Sequence, residues 1–462
     1  MRTITSLNAD WQFSKDDKTF EHVNLPHTWN NFDGQDGEGD YLRQKCFYKK
    51  ELAVTKSDKK VFIEFEGANH IANVYFNGTH LGEHRGGFST FRFELTDYIG
   101  EKNLLEVHVD NSEEIPVYPQ QADFTFFGGL YRNVNLIEVP QTHFDLDFYG
   151  SQGIYITPTV KNNAATIDVL AYTKGESGKE VVFTVCDADG KEVAQAKSHT
   201  AQEVKVSMSV ENPVLWNGVK NPYLYTLRSE ITDGESGTDT VSISFGIRSF
   251  SVDNDKGFIL NGTECPLHGV SRHQDKLDKG WALLPEDHET DIAIIKEMGA
   301  NTIRLAHYQH CQYFYDLCDK DGFVVWAEIP FITMFMSEKE AQENTVSQMK
   351  ELVLQNYNHP SICFWGISNE ITIGGENDAL VENQKTLVNV IKQYDTTRLT
   401  TIANVSFVPP ESSQNQLTDI IGYNHYFGWY GGELTQNEEW IDEFHKNYPT
   451  RPLCISEYGA EG

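Results

Sequence analysis

Long apolar runs, basic residues and clustered cysteines are what this sequence lacks. No stretch of 18 apolar residues occurs, and the amino-terminal MRTITSLNADWQF has no apolar segment of the length a secretory leader needs. The expectation is a chain without a spanning helix, located in the cytoplasm. Lys and Arg number 37 against 68 Asp and Glu, a formal net charge of −31, so phosphate backbones and anionic lipid surfaces are repelled. Neither nucleic acid nor a membrane is an expected partner, and the acidity reads as a solvated surface. The seven cysteines, at 46, 186, 265, 311, 318, 363 and 454, stand singly, several of them inside apolar runs such as SICFWG. Such spacing offers neither a zinc site nor a disulfide framework and suits buried, reduced thiols.

What is present is material for cores. Aromatic residues make up 12% of the chain and are spread along it, and 462 residues exceed what one hydrophobic core organises, so two to four domains are expected. From residue 1 to about 140 the signals are short strands and turns: VFIEFEG, NVYFNGTHLGEH, FSTFRFELTDYI and NLLEVHVDN. They predict an all-β sandwich. A second β segment, 141–249, carries GIYITPTV, TIDVLAYT, EVVFTVCDADG, EVKVSMSV, LYTLRSEIT and TVSISFG at immunoglobulin-like intervals. The Asn-Gly-Thr triplets at 77 and 261 match glycosylation acceptors in form, but Asn-Gly between alternating apolar residues is a hairpin turn first.

From about 250 to 462 strand and helix patterns alternate, the signature of parallel βα units. Seven strands read as PLHGVSR, NTIRLAH, FVVWAEIP, SICFWGISNE, LTTIAN, DIIGYNHY and PLCISEYG, mostly apolar because parallel strands are covered on both faces. In a closed βα barrel the active site forms at the carboxyl ends of the strands. Arg304 and His307, Glu328, Asn369 and Glu370, Asn424 and Tyr426, and Glu457 all fall there. A single strand-end glutamate is most simply a barrel-mouth ion pair. Two facing carboxylates are what glycoside hydrolysis requires, one to protonate the leaving oxygen and one to attack the anomeric carbon. Their mutual repulsion would raise the pKa of one of them, and the residues alone leave open which of Glu370 and Glu457 is the acid.

NHPSICFWGISNE, ISEYGAEG, IRLAHY and DIIGYNHYFGWYGG resemble family 2 of the glycoside hydrolases, and VYFNGTHLGEHRGGFSTFRFEL and DFTFFGGLYRNV look like that family's sugar-binding domain. The resemblance implies a multidomain β plus α/β chain: a jelly-roll β-sandwich (1–140), an immunoglobulin-like sandwich (141–249) and a (β/α)8 TIM barrel (250–462). It implies Glu370 as acid/base and Glu457 as nucleophile, with the two carboxyl groups about 5–5.5 Å apart as in retaining enzymes. It further implies substrate contacts at Asp123, His307, Asn369, Asn424 and Tyr426. A turn cap at Asn369, packing at Tyr426, a core histidine at 307 and a loop cap at Asp123 are the plainer alternatives.

Within the family the strings SICFWGISNEITIGG and GYNHYFGWYGG look closest to bacterial β-galactosidases, so a retaining exo-β-glycosidase acting on terminal β-D-galactose is the expectation. The alternatives are a β-glucuronidase of the same family or a catalytically incompetent carbohydrate-binding fragment. No cofactor is required. Magnesium, which large β-galactosidases hold through a Glu-x-His element beside the acid/base, has no matched motif here, since FITMFM lacks the histidine, and its ligands are unknown. Homo-oligomers are common among relatives. The chain stops five residues after Glu457, before an eighth strand, and reads as part of a longer protein.

Overall fold

The computed structural model describes residues 1–37, 40–113, 115–234 and 237–459. The amino-terminal domain is a two-sheet sandwich. One sheet orders Glu21–Val23, Trp11–Ser14, Lys45–Glu51, Leu104–Asp110, Ile71–Phe76 and Thr79–Arg85; the other orders Thr3–Ser6, Val134–Val139, Lys60–Phe65 and Phe91–Glu94. Strand alternation makes the core. In LLEVHVD, Leu105, Val107 and Val109 face inward and join Trp11, Phe13, Ile63 and Phe65. The Asn77-Gly78 pair closes the Ile71–Arg85 hairpin with both residues at positive φ, 50° and 78°, the conformation that favours Asn-Gly there. Asn261 (φ 51°) and Gly262 (φ 77°) do the same further along.

The second domain packs two four-stranded antiparallel sheets around Phe144, Ile167, Phe183, Leu227 and Phe245. Its strand Glu192–His199 is one the sequence pattern does not announce. Only the small Ala194 and Ala196 pack inward from it, so its alternation carries little hydrophobic contrast.

The third domain is a curved seven-stranded parallel sheet: β1 (Gly269–Arg272), β2 (Thr302–Leu305), β3 (Val324–Glu328), β4 (Ile362–Asn369), β5 (Leu399–Val405), β6 (Ile420–Asn424) and β7 (Leu453–Glu457), in that spatial order. Curvature brings Arg304 of β2 into contact with Glu457 of β7 across the interior. The helices between are α1 (Pro285–Glu297), α2 (Gln312–Asp321), α3 (Lys339–Gln355), α4 (Asp378–Tyr394) and α5 (Gln436–Asn447). Gly322, at φ 83°, ends α2, and the Asn377 side chain caps α4 by accepting from the Leu380 amide at 3.0 Å. One departure from the expected alternation opens this domain. Phe250–Asp253, Gly257–Leu260 and Thr263–Glu264 form a small antiparallel sheet whose Phe258 and Leu260 pack with Trp216, Val324 and Cys363 beneath the amino ends of the strands.

Buried polar struts join sandwich to barrel. Arg132 donates to the carbonyls of Glu66 and Phe88 within its own domain and to Gln274 Oε1 and the Gln309 carbonyl of the barrel, at 2.5–3.2 Å. On α3, Glu351 accepts from His84 Nε2 and Ser89 Oγ at 3.0 and 2.5 Å. Under the barrel, Asp395 accepts from Arg398 Nη1, Trp365 Nε1 and the Thr397 hydroxyl at 2.9, 2.8 and 2.7 Å. Burial alone would raise this carboxyl, but Arg398, Trp365 and Thr397 outweigh it and hold the pKa at about 2, against 3.8. A depressed carboxylate contributes stability above its unfolded pKa and loses it as pH falls toward the folded one, here about 2 kcal/mol lost between pH 4 and 2. Asp395→Asn leaves Arg398 buried without a counter-charge and is expected to cost about 3–5 kcal/mol, read as a lowered urea midpoint for the barrel transition by tryptophan fluorescence.

Candidate active site

The carboxyl ends of the barrel strands carry a polar cluster in an otherwise apolar interior, and its centre is Arg304. Its guanidinium donates from Nε to Glu328 Oε2 at 3.0 Å, and from Nη2 to Glu328 Oε1 at 2.9 Å and Asn369 Oδ1 at 2.8 Å; Nη1 bonds Glu457 Oε1. The side chains of Arg304 and Glu328 are 5% and 0% exposed. A cation so buried persists only with carboxylates around it. Position supplies them: Arg304 points inward from β2, Glu328 is the last residue of β3 and Glu457 the last of β7.

His307 donates from Nδ1 to Glu328 Oε1 at 2.7 Å, which leaves Nε2 3.7 Å from Glu457 Oε1. Tyr426 donates its hydroxyl to the other oxygen of that carboxylate, Glu457 Oε2, at 2.6 Å. Asn424 donates to Glu370 Oε1 at 2.9 Å and to Asn369 Oδ1 at 3.1 Å, while its own Oδ1 accepts from Ser456. With Oδ1 of Asn369 taken by two donors, its Nδ2 is the side of the amide left for another acceptor. Glu370 follows β4 in the left-handed region, φ 46° and ψ 24°, which turns its side chain away from the strand direction.

The two carboxylates sit in opposite fields. Burial raises the Glu370 pKa, and the charge of Glu457 adds to it, outweighing the Asn424 bond and the charges of His307 and Arg304. Burial acts the same way on Glu457, but there the Arg304 charge, His307 and the Tyr426 hydroxyl outweigh it and hold the carboxyl below its usual range. One is poised to keep a proton and the other to stay ionised.

Six of the seven residues singled out from the sequence meet in this network: Glu370, Glu457, His307, Asn369, Asn424 and Tyr426. Asp123 does not. It is exposed and makes no hydrogen bond or ion pair among the described residues. Its neighbour Phe124 is what the sandwich brings to the barrel mouth, with its ring 6.2 Å from His307, 5.0 Å from His273 and 5.5 Å from Tyr308. His273 was missed in sequence although it follows β1 at the same end; its ring lies 5.2 Å from His307, and burial together with the His307 and Arg304 charges pushes its pKa down to about 3. Arg304 was visible as a strand-end base, but nothing in IRLAHY announces it as the hub.

A group with metal-ligand chemistry exists among the described residues at Asp316, Asp319 and His359, at the other end of the barrel from Glu370. His359 Nδ1 there donates to Asp319 Oδ2 at 2.6 Å, and Asp319 Oδ1 accepts from the Ser361 amide at 3.0 Å, so these atoms already brace the start of β4.

Family models describing the glycosyl hydrolases family 2 sugar-binding domain, the family 2 domain and the family 2 TIM-barrel domain match residues 5–140, 152–248 and 251–462. A β-glucuronidase of Bacteroides fragilis is 38% identical over 98% of this chain and 68% of its own length. The chain belongs to glycoside hydrolase family 2. A β-galactosidase of Bacteroides ovatus is 30% identical over 99% of the chain, which spans 59% of that relative, and a putative β-glucuronidase of Formosa agariphila, 32% identical, is spanned over 57%. Among solved structures, an FMN-binding β-glucuronidase from Facaelibacterium prausnitzii L2-6 superposes with a TM-score of 0.96 at 48% identity, over all of this chain and 73% of that one. A family 2 glycosidase acting on carbohydrate is therefore what the chain is similar to throughout, and the likeness favours β-glucuronidases over the β-galactosidases that the strand-end strings suggested.

Carboxyl-carbon NMR of the chain labelled at glutamate is expected to show Glu370 titrating above, and Glu457 below, the free-glutamate range. Tyr426→Phe removes one hydrogen bond to ionised Glu457 and is expected to move that resonance's midpoint upward while leaving Glu370's above the free value.

Proposed function

We propose that this site hydrolyses terminal β-D-glucuronides with retention, Glu457 acting as nucleophile and Glu370 as acid/base. The observation that carries the reading is the opposite tuning of the two carboxylates, since double displacement needs an ionised nucleophile and a protonated acid at the same pH. Glu457 attacks the anomeric carbon as Glu370 passes its proton to the leaving oxygen, giving a covalent glycosyl-enzyme. Glu370, now ionised, takes a proton from water as that water displaces Glu457. Arg304 and the Tyr426 hydroxyl favour the carboxylate form of Glu457 and so help it leave. The free Nδ2 of Asn369 suits a sugar hydroxyl whose contact tightens in the transition state. The sugar rests on likeness: the 38% and 48% identical relatives are named β-glucuronidases. The 30% identical β-galactosidase keeps galactose as the competing outcome.

Intact mass after incubation with 2-deoxy-2-fluoro-β-D-glucuronyl fluoride is expected to show one added glycosyl group in the wild type and none in Glu457→Gln. Labelling by the galactosyl reagent alone would replace the sugar, and labelling that persists in Glu457→Gln would replace the nucleophile. With an aryl glucuronide, the pH–rate profile is expected to be bell-shaped, its acid limb set by Glu457 and its alkaline limb by Glu370. Glu370→Gln removes the alkaline limb and lowers kcat/KM by roughly 10²–10⁴ for poor leaving groups.

A further inference from the structure

Inside the barrel, Trp326 of β3 stands in register with Arg304 of β2, and Glu328, two residues on, lies on the same face and in register with Gly366 of β4. The Arg304 guanidinium sits over the indole, 5.2 Å from the ring centre. Room for the indole comes from two strands that carry no side chain at that level. A β-carbon on Gly366 would lie 2.5 Å from Trp326 Nε1 and 2.7 Å from Glu328 Cβ, and one on Gly422 of β6 would lie 2.8 Å from Cη2 at the other side of the indole. Neither glycine has a left-handed φ, so space and not backbone conformation excludes a side chain there.

The indole N–H has no hydrogen-bond partner among the described residues, although Trp326 is buried. Buried indoles ordinarily donate, and an unbonded N–H costs free energy. An aliphatic side chain would fill the same space with no polar atom to satisfy. What it lacks is a flat, electron-rich face, and here that face is turned to Arg304. The edge and the face of a guanidinium do not compete, since carboxylates bond in its plane and an aromatic ring packs above or below it. In its plane Arg304 gives Nε and Nη2 to Glu328 on the adjacent strand, but only Nη1 to Glu457 across the barrel. Tilting about the two Glu328 bonds therefore breaks the Glu457 contact first.

We propose that Trp326 is a positioning residue for the nucleophile: its indole face fixes the plane of the Arg304 guanidinium and so keeps Nη1 on Glu457. The catalytic half of this rests on the reading of Glu457 as nucleophile; the hold on Arg304 does not. Trp326 acts through Arg304, while Gly366 and Gly422 leave the indole its seat. After burial, which raises both carboxyls, Arg304 is the largest influence on Glu457, lowering it, and the least of those on Glu370. A loosened guanidinium therefore moves Glu457 further than Glu370.

Carboxyl-carbon NMR titration of the glutamate-labelled chain tests this in Trp326→Met, which fills much of the space without a flat face, and in Trp326→Phe, which restores one. In Trp326→Met the Glu457 midpoint is expected to rise by about half a unit to one unit, and that of Glu370 by less, the order expected for losing an aromatic–guanidinium contact in a buried site. With an aryl glucuronide the acid limb of the pH–rate profile moves up with it, and rates on the acid side of that limb fall roughly three- to tenfold. Trp326→Phe is expected to recover at least half of the shift. Trp326→Leu takes the place of Trp326→Met where that variant does not fold. The NMR midpoint needs no substrate, so a chain that cleaves no glucuronide and still shows the shift loses the glycosidase reading and keeps the role of Trp326. A folded Met or Leu variant whose Glu457 midpoint stays within about 0.2 unit of the wild type, whatever its melting temperature, has lost only core filling and overturns the proposal. A Phe variant shifted as far as the Met variant overturns it too.

Discussion

Everything at the barrel mouth hangs on one buried cation. Arg304 touches Glu328, Glu457 and Asn369 at once, and these come from strands β3, β7 and β4, so one guanidinium ties together three parts of the sheet. Glu328, one of the strand-end polar residues picked out in sequence, is the group that anchors Arg304 and His307. Take the cation away and two buried carboxylates lose their counter-charge, Glu328 keeping only His307 and Glu457 only Tyr426 as close hydrogen-bond partners, with the main charge that holds Glu457 low lost as well. Stability and reactivity thus draw on the same charge.

The second constraint is that the mouth is not made by the barrel alone. Phe124 reaches it from the sandwich, and the segment behind Phe124 is fixed by Arg132, whose guanidinium spans both domains. A cluster of Phe88, Phe127, Tyr131, Trp281 and Tyr308 fills the join. Because aromatic contacts of this kind depend on close approach, a small rotation of one domain against the other would open the wall beside His307.

The sequence made the architecture legible where periodicity was strong. Parallel strands such as ICFWGISN are apolar on both faces and read easily, and Asn77-Gly78 fixed a hairpin by backbone conformation alone. Glu192–His199 was hidden because alanines give no contrast, and the small sheet at Phe250–Glu264 because its strands are two to four residues long. At the barrel mouth, position at a strand's carboxyl end was enough to pick out Glu370, Glu457, Asn424 and Tyr426 as residues that share one polar cluster. It was not enough for Phe124, whose placement depends on how two domains meet, nor for the role of Arg304, since a partner list is a property of three-dimensional proximity; Asp123, named through the resemblance, lies exposed outside the cluster. The sugar, too, lay beyond the strand-end strings, which resemble several specificities at once.

Glu370 holds a left-handed backbone, φ 46°, that glycine or asparagine would adopt at less cost than a residue with a long side chain. Its carboxyl is also buried, with a neighbouring carboxylate that repels its charged form. Both features make glutamate a poor choice for folding at this position, so selection for robustness alone would replace it. Under the proposed reading the position keeps a backbone and a charge that folding alone disfavours, because a protonated carboxyl is needed at the end of β4.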